Sequence, residues 1–301
     1  MTCVSVTQLA SRCPTDGGWK IAECDASWCT PRPLASRADA GSLGAPLQAE
    51  RAAVGSPVVS PPSPAPFRSA GDRADISIRD ALITWLVAYL FGAMISSAVF
   101  ALSGADSTAD LRPGWLAAAS LAQWLPMVGA IWYVGRSCGV GDLSADFGMT
   151  FRLVDLIGIP LGVITQLVLV RLVYVPLESL WPRTFALDKI EERARTTYES
   201  AEGGGLVLLV LVVVVGAPLV EELAYRGLLQ GAFTRRVNDW IGVVVVALFF
   251  ALIHFQPIEI PGLFVVGLVL GVCAVRTGRL GLSVVAHLAF NATGLILVAS
   301  T

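Results

Sequence analysis

From about residue 80 onward the chain alternates long apolar runs with short polar connections. A helix crossing ~30 Å of hydrocarbon needs about 20 residues at ~1.5 Å of rise each. Runs of that order lie near 81–103, 114–135, 154–175, 205–225, 240–256, 260–276 and 280–300. They predict an all-α, polytopic transmembrane helical bundle of about seven spans, give or take one. Asn238 and Asp239 read as a turn and N-cap between the fourth and fifth runs, so these two form an antiparallel hairpin.

Residues 1–76 break the pattern. They are rich in Pro, Ser, Ala and Gly, with PVVSPPSPAP from Pro57 to Pro66, and contain no apolar run of useful length. Such a segment predicts a disordered N-terminal extension (1–76) ahead of a transmembrane domain (77–301), with no secretory signal at its start. Its cysteines, Cys3, Cys13, Cys24 and Cys29, lack the CxxC spacing of a zinc knuckle and read as unpaired thiols.

Composition agrees with a membrane protein: 55% hydrophobic, 15% charged, mean hydropathy +0.69. A formal net charge of −2 leaves no basic footprint for nucleic acid. In the loops, the positive-inside rule places Arg73, Arg79, Arg136, Arg152, Arg235, Arg236, Arg276 and Arg279 in the cytoplasm, so the N-terminus is inside and the C-terminus outside. The opposing cluster Arg183, Lys189, Arg193 and Arg195 lies in an outer connection whose stretch 188–199 alternates acid and base like an interfacial helix.

Chemistry concentrates in few places. GAPLVEELAYRGLLQ, Gly216 to Gln230, sets two carboxylates and an arginine directly behind the apolar run Leu206 to Val215. Glu222 and Arg226 stand four apart in the order that favours an ion pair, which makes them supporting residues and leaves Glu221 without a helical partner. The chain has two histidines, His254 and His287, both in apolar runs. The hairpin about Val237/Asn238 puts His254 level with Glu221, and His287 shares a helix face with Asn291. One histidine in a span reads as a plain interhelical hydrogen-bonder; two converging with Glu and Asn point to function. Gly267 and Gly271 form a GxxxG pair suited to close helix packing, Gly203 to Gly205 read as a loop, and Arg171 can snorkel to an interface.

Three motifs are present in order: Glu221-Glu222-Leu-Ala-Tyr-Arg226, then Phe250-Ala-Leu-Ile-His254, then His287-Leu-Ala-Phe-Asn291. On these residues the chain resembles the intramembrane CPBP family (CAAX protease and bacteriocin-processing, Abi or type II CAAX prenyl endopeptidase). The resemblance covers about residues 155–300. It implies a membrane protease with its active-site cavity toward the cytoplasm of a plasma-membrane protein, acting on membrane-associated protein or peptide. Carried onto this chain, Glu221 activates a water, His254 positions it, and His287 and Asn291 stabilise the oxyanion, with Glu222, Arg226 and Phe250 in support.

The chemistry is sound beside the name. Amide hydrolysis needs a base for water, a carboxylate in a low-dielectric site accepts protons more readily than one in water, and preorganised donors stabilise the oxyanion. Two routes stay open: a bare water on Glu221, or a Zn2+ ion held by Glu221, His254 and His287. Two other classes compete, a non-catalytic bacteriocin-immunity or scaffold protein of the same fold, and a proton-coupled transporter.

Overall fold

The computed structural model describes residues 73–107, 110–185, 195–201 and 203–300. The expected extension 1–76, apart from its last four residues, lies outside them, as do its four cysteines and most of the alternating stretch 188–199. Residues 73–76 are packed on the bundle, with Ala74 and Ile76 buried.

Seven apolar helices follow: α1 (Ile78–Ser103), α2 (Pro113–Cys138), α3 (Leu153–Leu180), α4 (Gly204–Thr234), α5 (Asp239–Leu252), α6 (Ile260–Thr277) and α7 (Gly281–Ser300). No strand occurs among the described residues. Six of the seven are long and apolar enough to cross a membrane; α5, with 14 residues, is not. At ~1.5 Å per residue α5 rises only about 21 Å. The apolar run 240–256 is therefore a short helix followed by a turn.

Local signals set the helix ends. Ser77 caps α1 by accepting from the Asp80 amide at 3.0 Å, and Gly104, at φ 69°, ends it in the left-handed region. Pro113 opens α2 at a position where a missing N–H costs nothing. Asn238 caps α5 through a 2.8 Å bond from the Trp240 amide. The turn after α5 stops short because Pro257 disfavours helix at Gln256, and Phe255 adopts φ 52°, the one positive φ at a non-glycine among the described residues. For a bulky side chain that conformation is costly and needs surrounding structure to hold it.

Helix α4 is the centre of the bundle: Leu223, Ala224, Leu228 and Leu229 are buried in a core shared with Trp85 of α1 and Ile131 of α2. Close approach elsewhere depends on glycine. A Cβ at Gly162 of α3 would overlap the Ala286 carbonyl of α7, and one at Gly267 of α6 would meet the Ala247 Cα of α5 at 3.0 Å. The opposite faces carry large exposed apolar side chains such as Leu90, Phe91 and Leu172, as a lipid-facing surface requires.

Candidate active site

Two π-helical stretches interrupt α4, Leu211–Gly216 and Glu222–Gln230, and the three charged residues fall at and within the second. A wider turn rotates the side chains that follow it, a device frequent at functional sites. Glu222 and Arg226 point inward and are fully buried, joined by a 2.9 Å ion pair. Arg226 also donates to the Gly267 carbonyl at 3.2 Å and lies over the Phe250 ring, 4.7 Å from its centroid. Desolvating such a pair is expensive, so its worth rests on these extra partners.

Gly267 and Gly271, the GxxxG pair, thus do more than admit a neighbouring helix. Their carbonyls accept from Arg226 and, at 2.9 Å, from the Gln230 side chain.

Glu221 is different from its neighbour: its side chain is 27% exposed against 0% for Glu222. Its nearest basic atom is His287 Nε2 at 3.8 Å. That imidazole stands between the two carboxylates, with Nδ1 3.0 Å from Glu222 Oε1. A carboxylate only accepts, so Nδ1 donates and Nε2 is left to face Glu221. His287 is buried one turn before Asn291 on α7, and Asn291 Nδ2 donates to the Val213 carbonyl at 2.8 Å.

His254 sits in the turn after α5. Its Nδ1 is 2.7 Å from the Phe250 carbonyl, which can only accept, so the neutral ring carries its proton there and presents an unprotonated Nε2. The hairpin count puts His254 level with Glu221, and among the described residues no hydrogen bond or ion pair joins the two. Helix α5 ends at Leu252, so His254 stands in the turn beyond it, next to Phe255 with its positive φ. Phe250 connects the groups instead, with ring centroids 4.8 Å from His254 and 6.1 Å from His287.

A cavity of about 580 Å³ is lined by His254 and Asn291 together with Gln166, Tyr174, Gln256 and Glu259. The last four were not singled out in the sequence; their signal is only a polar residue in or beside an apolar run. Leu209 and Val213, early in α4, and Leu295 and Val298, late in α7, also line it, with Thr197. All of these belong to the half of the bundle opposite the α4–α5 turn. Glu221 and His287 are not among the lining residues; Glu221 lies two turns beyond Val213 on α4 and His287 one turn before Asn291 on α7.

No three His, Cys, Asp or Glu side chains among the described residues are grouped so as to hold a metal ion. The candidate zinc set Glu221, His254 and His287 is not among such groups. His287 Nδ1 is engaged by Glu222 and His254 Nδ1 by a carbonyl, which leaves Nε2 of each ring available.

Comparison with known proteins agrees with the motifs. A protein of Escherichia coli named "Uncharacterized 24.3 kDa protein" is 27% identical over 177 residues, 57% of this chain and 68% of that protein. No solved structure matches. Residues 203–293 match the family described as Type II CAAX prenyl endopeptidase Rce1-like, and all three motifs fall inside the match. With six helices fit to cross a bilayer, the chain is a multi-pass membrane protein whose segment 203–293 is similar to the Rce1-like family.

Proposed function

We propose that the chain is an intramembrane endopeptidase of the glutamate type, hydrolysing a peptide bond of a membrane-associated protein or peptide. The observation that carries this reading is the unequal state of the two adjacent carboxylates. Glu222 is spent on Arg226, while Glu221 is part exposed and faces His287 at 3.8 Å without an arginine partner among the described residues.

In this reading Glu221 takes a proton from water as the oxygen adds to the scissile carbonyl carbon, and returns it to the leaving nitrogen as the C–N bond breaks. His254 Nε2, unprotonated, accepts a hydrogen bond from the same water and orients it. Asn291 keeps a second N–H beyond the one given to Val213, and that N–H is the oxyanion donor. His287, hydrogen-bonded to Glu222 and facing Glu221, is placed to position Glu221, a role that replaces the oxyanion role implied by the resemblance.

The test compares membrane peptides from cells carrying the intact protein with those from cells carrying Glu221→Gln. Products that vanish with the substitution, and that persist when purified enzyme is treated with chelator, support the proposal. Identical peptide sets would favour the non-catalytic immunity or scaffold role.

A further inference from the structure

At the end of the bundle where α4 meets α5, three arginines gather: Arg73, just before α1, and Arg235 and Arg236, just after α4. Asp75 is the carboxylate among them, and Arg236 takes it at 2.6 Å while also donating to the Ile76 carbonyl at 2.6 Å. Arg73 is held against Gly148 and donates to the Gly278 carbonyl. Arg235 folds back over Gly231, and its Nε is buried with no hydrogen-bond partner. Neither Arg73 nor Arg235 has a carboxylate partner among the described residues.

This is an unbalanced arrangement. Arg235 is drawn down to a pKa of about 10 by burial and by the charges of Arg236 and Arg73, and Arg73 is lowered by burial. A guanidinium cannot shed its proton near neutral pH, and Asp75, the one carboxylate acting on Arg235, is already paired with Arg236, so a further anion is favoured here. The unsatisfied planar fork of Arg235 suits the tetrahedral oxygens of phosphate better than a single chloride. The site also lies at a definite depth. Residues that build it precede α1, connect α2 to α3, follow α4 and separate α6 from α7, which is where the apolar spans stop and lipid headgroups begin.

We propose that Arg73, Arg235 and Arg236 form a binding site for a phosphate group, furnished by the headgroup of an anionic phospholipid. Bound there, the phosphate joins the strap of residues 73–76 to the C-terminal end of α4, the helix that carries Glu221. The site does not depend on the chain being a peptidase.

Purified full-length protein in detergent tests it by native mass spectrometry with phosphatidylglycerol and phosphatidylcholine, and by thermal unfolding with and without inorganic phosphate. The wild type should retain phosphatidylglycerol in preference to phosphatidylcholine. Arg235→Gln and Arg73→Gln should each weaken that retention about tenfold, the worth of one charged hydrogen-bond contact. Arg235→Lys, which keeps the charge without the fork, should fall between, and Arg112→Gln at the other end of the bundle should change nothing. Free of lipid, Arg235→Gln should melt no lower than wild type, since it relieves like-charge crowding; this separates lost binding from lost fold. Inorganic phosphate raising the melting temperature of wild type but not of Arg235→Gln, without selective lipid retention, would keep the site and move its ligand to solution. Equal phosphatidylglycerol retention by wild type, Arg235→Gln and Arg73→Gln, with no stabilisation by phosphate, overturns the proposal.

Discussion

Adjacent residues on a helix point about 100° apart, and Glu221 and Glu222 show how completely that can divide two identical side chains. Glu222 enters a fully desolvated cluster with Arg226, His287 and the Gly267 carbonyl; Glu221 stays part exposed. Glu221→Gln should therefore lower turnover by ~10²–10⁴-fold, the usual worth of a general base, while the melting temperature stays that of wild type. Cleavage kinetics on whichever peptide the cellular comparison identifies, beside a thermal scan, check both halves. Glu222→Gln or Arg226→Gln should cost ~3–5 kcal/mol of stability, because each leaves a charge buried alone. Exchanging the two residues should not restore it, since the Gly267 carbonyl and Phe250 ring suit a guanidinium at 226, and His287 suits a carboxylate at 222. The paired replacement by two leucines should unfold less readily than either single variant, and a reversed order of melting temperatures would refute this account of the pair. The i, i+4 spacing made the Glu222–Arg226 pair legible in the sequence. The position of His287 between both carboxylates was not, because it depends on how α7 packs against α4.

At the scale of elements, all seven apolar runs appear as helices, since hydrophobic length is a property of the sequence alone. Two features escaped it. The π stretches of α4, LVVVVG and ELAYRGLLQ, share no composition that sets them apart from α-helix, and only tertiary packing selects them. The end of α5 was hidden because IleHisPhe continues the apolar run; Pro257 and the positive φ of Phe255 follow it, and His254 in that turn lines the cavity. The glycine contacts were half legible. GxxxG at Gly267 and Gly271 predicted close packing but not that the carbonyls exposed by it would seat Arg226 and Gln230. Gly267→Val should accordingly push α6 from Ala247 and unseat Arg226 together, costing at least the ~1–3 kcal/mol of ordinary overpacking. Gly294→Ala, whose Cβ meets nothing closer than 3.6 Å, should leave the melting temperature unchanged and serves as the control.

For the whole molecule, two expectations drawn from the sequence prove incompatible. The arginines place the α4–α5 turn in the cytoplasm: Arg235 and Arg236 there, Arg136 at the end of α2, Arg276 and Arg279 between α6 and α7, and Arg79 at the start of α1 all share that end. Family resemblance implies a cavity that faces the cytoplasm. Yet the cavity is lined from the other half of the bundle, by Leu209, Tyr174, Val298 and Thr197, beside the connection between α3 and α4. Sequence could not reveal the conflict, because motif spacing says nothing of which end a cavity opens. The arginine distribution is the more direct physical quantity, as each charge resists transfer across the bilayer. It predicts that a reporter fused after Thr301 reads non-cytoplasmic and that Val237→Cys is labelled by membrane-impermeant maleimide only after cells are opened. Thr197→Cys, on the cavity wall, should be labelled in intact cells. The opposite pattern at all three positions would turn the bundle over, place the cavity in the cytoplasm and show that packing around the catalytic helix, not loop charge, sets the orientation.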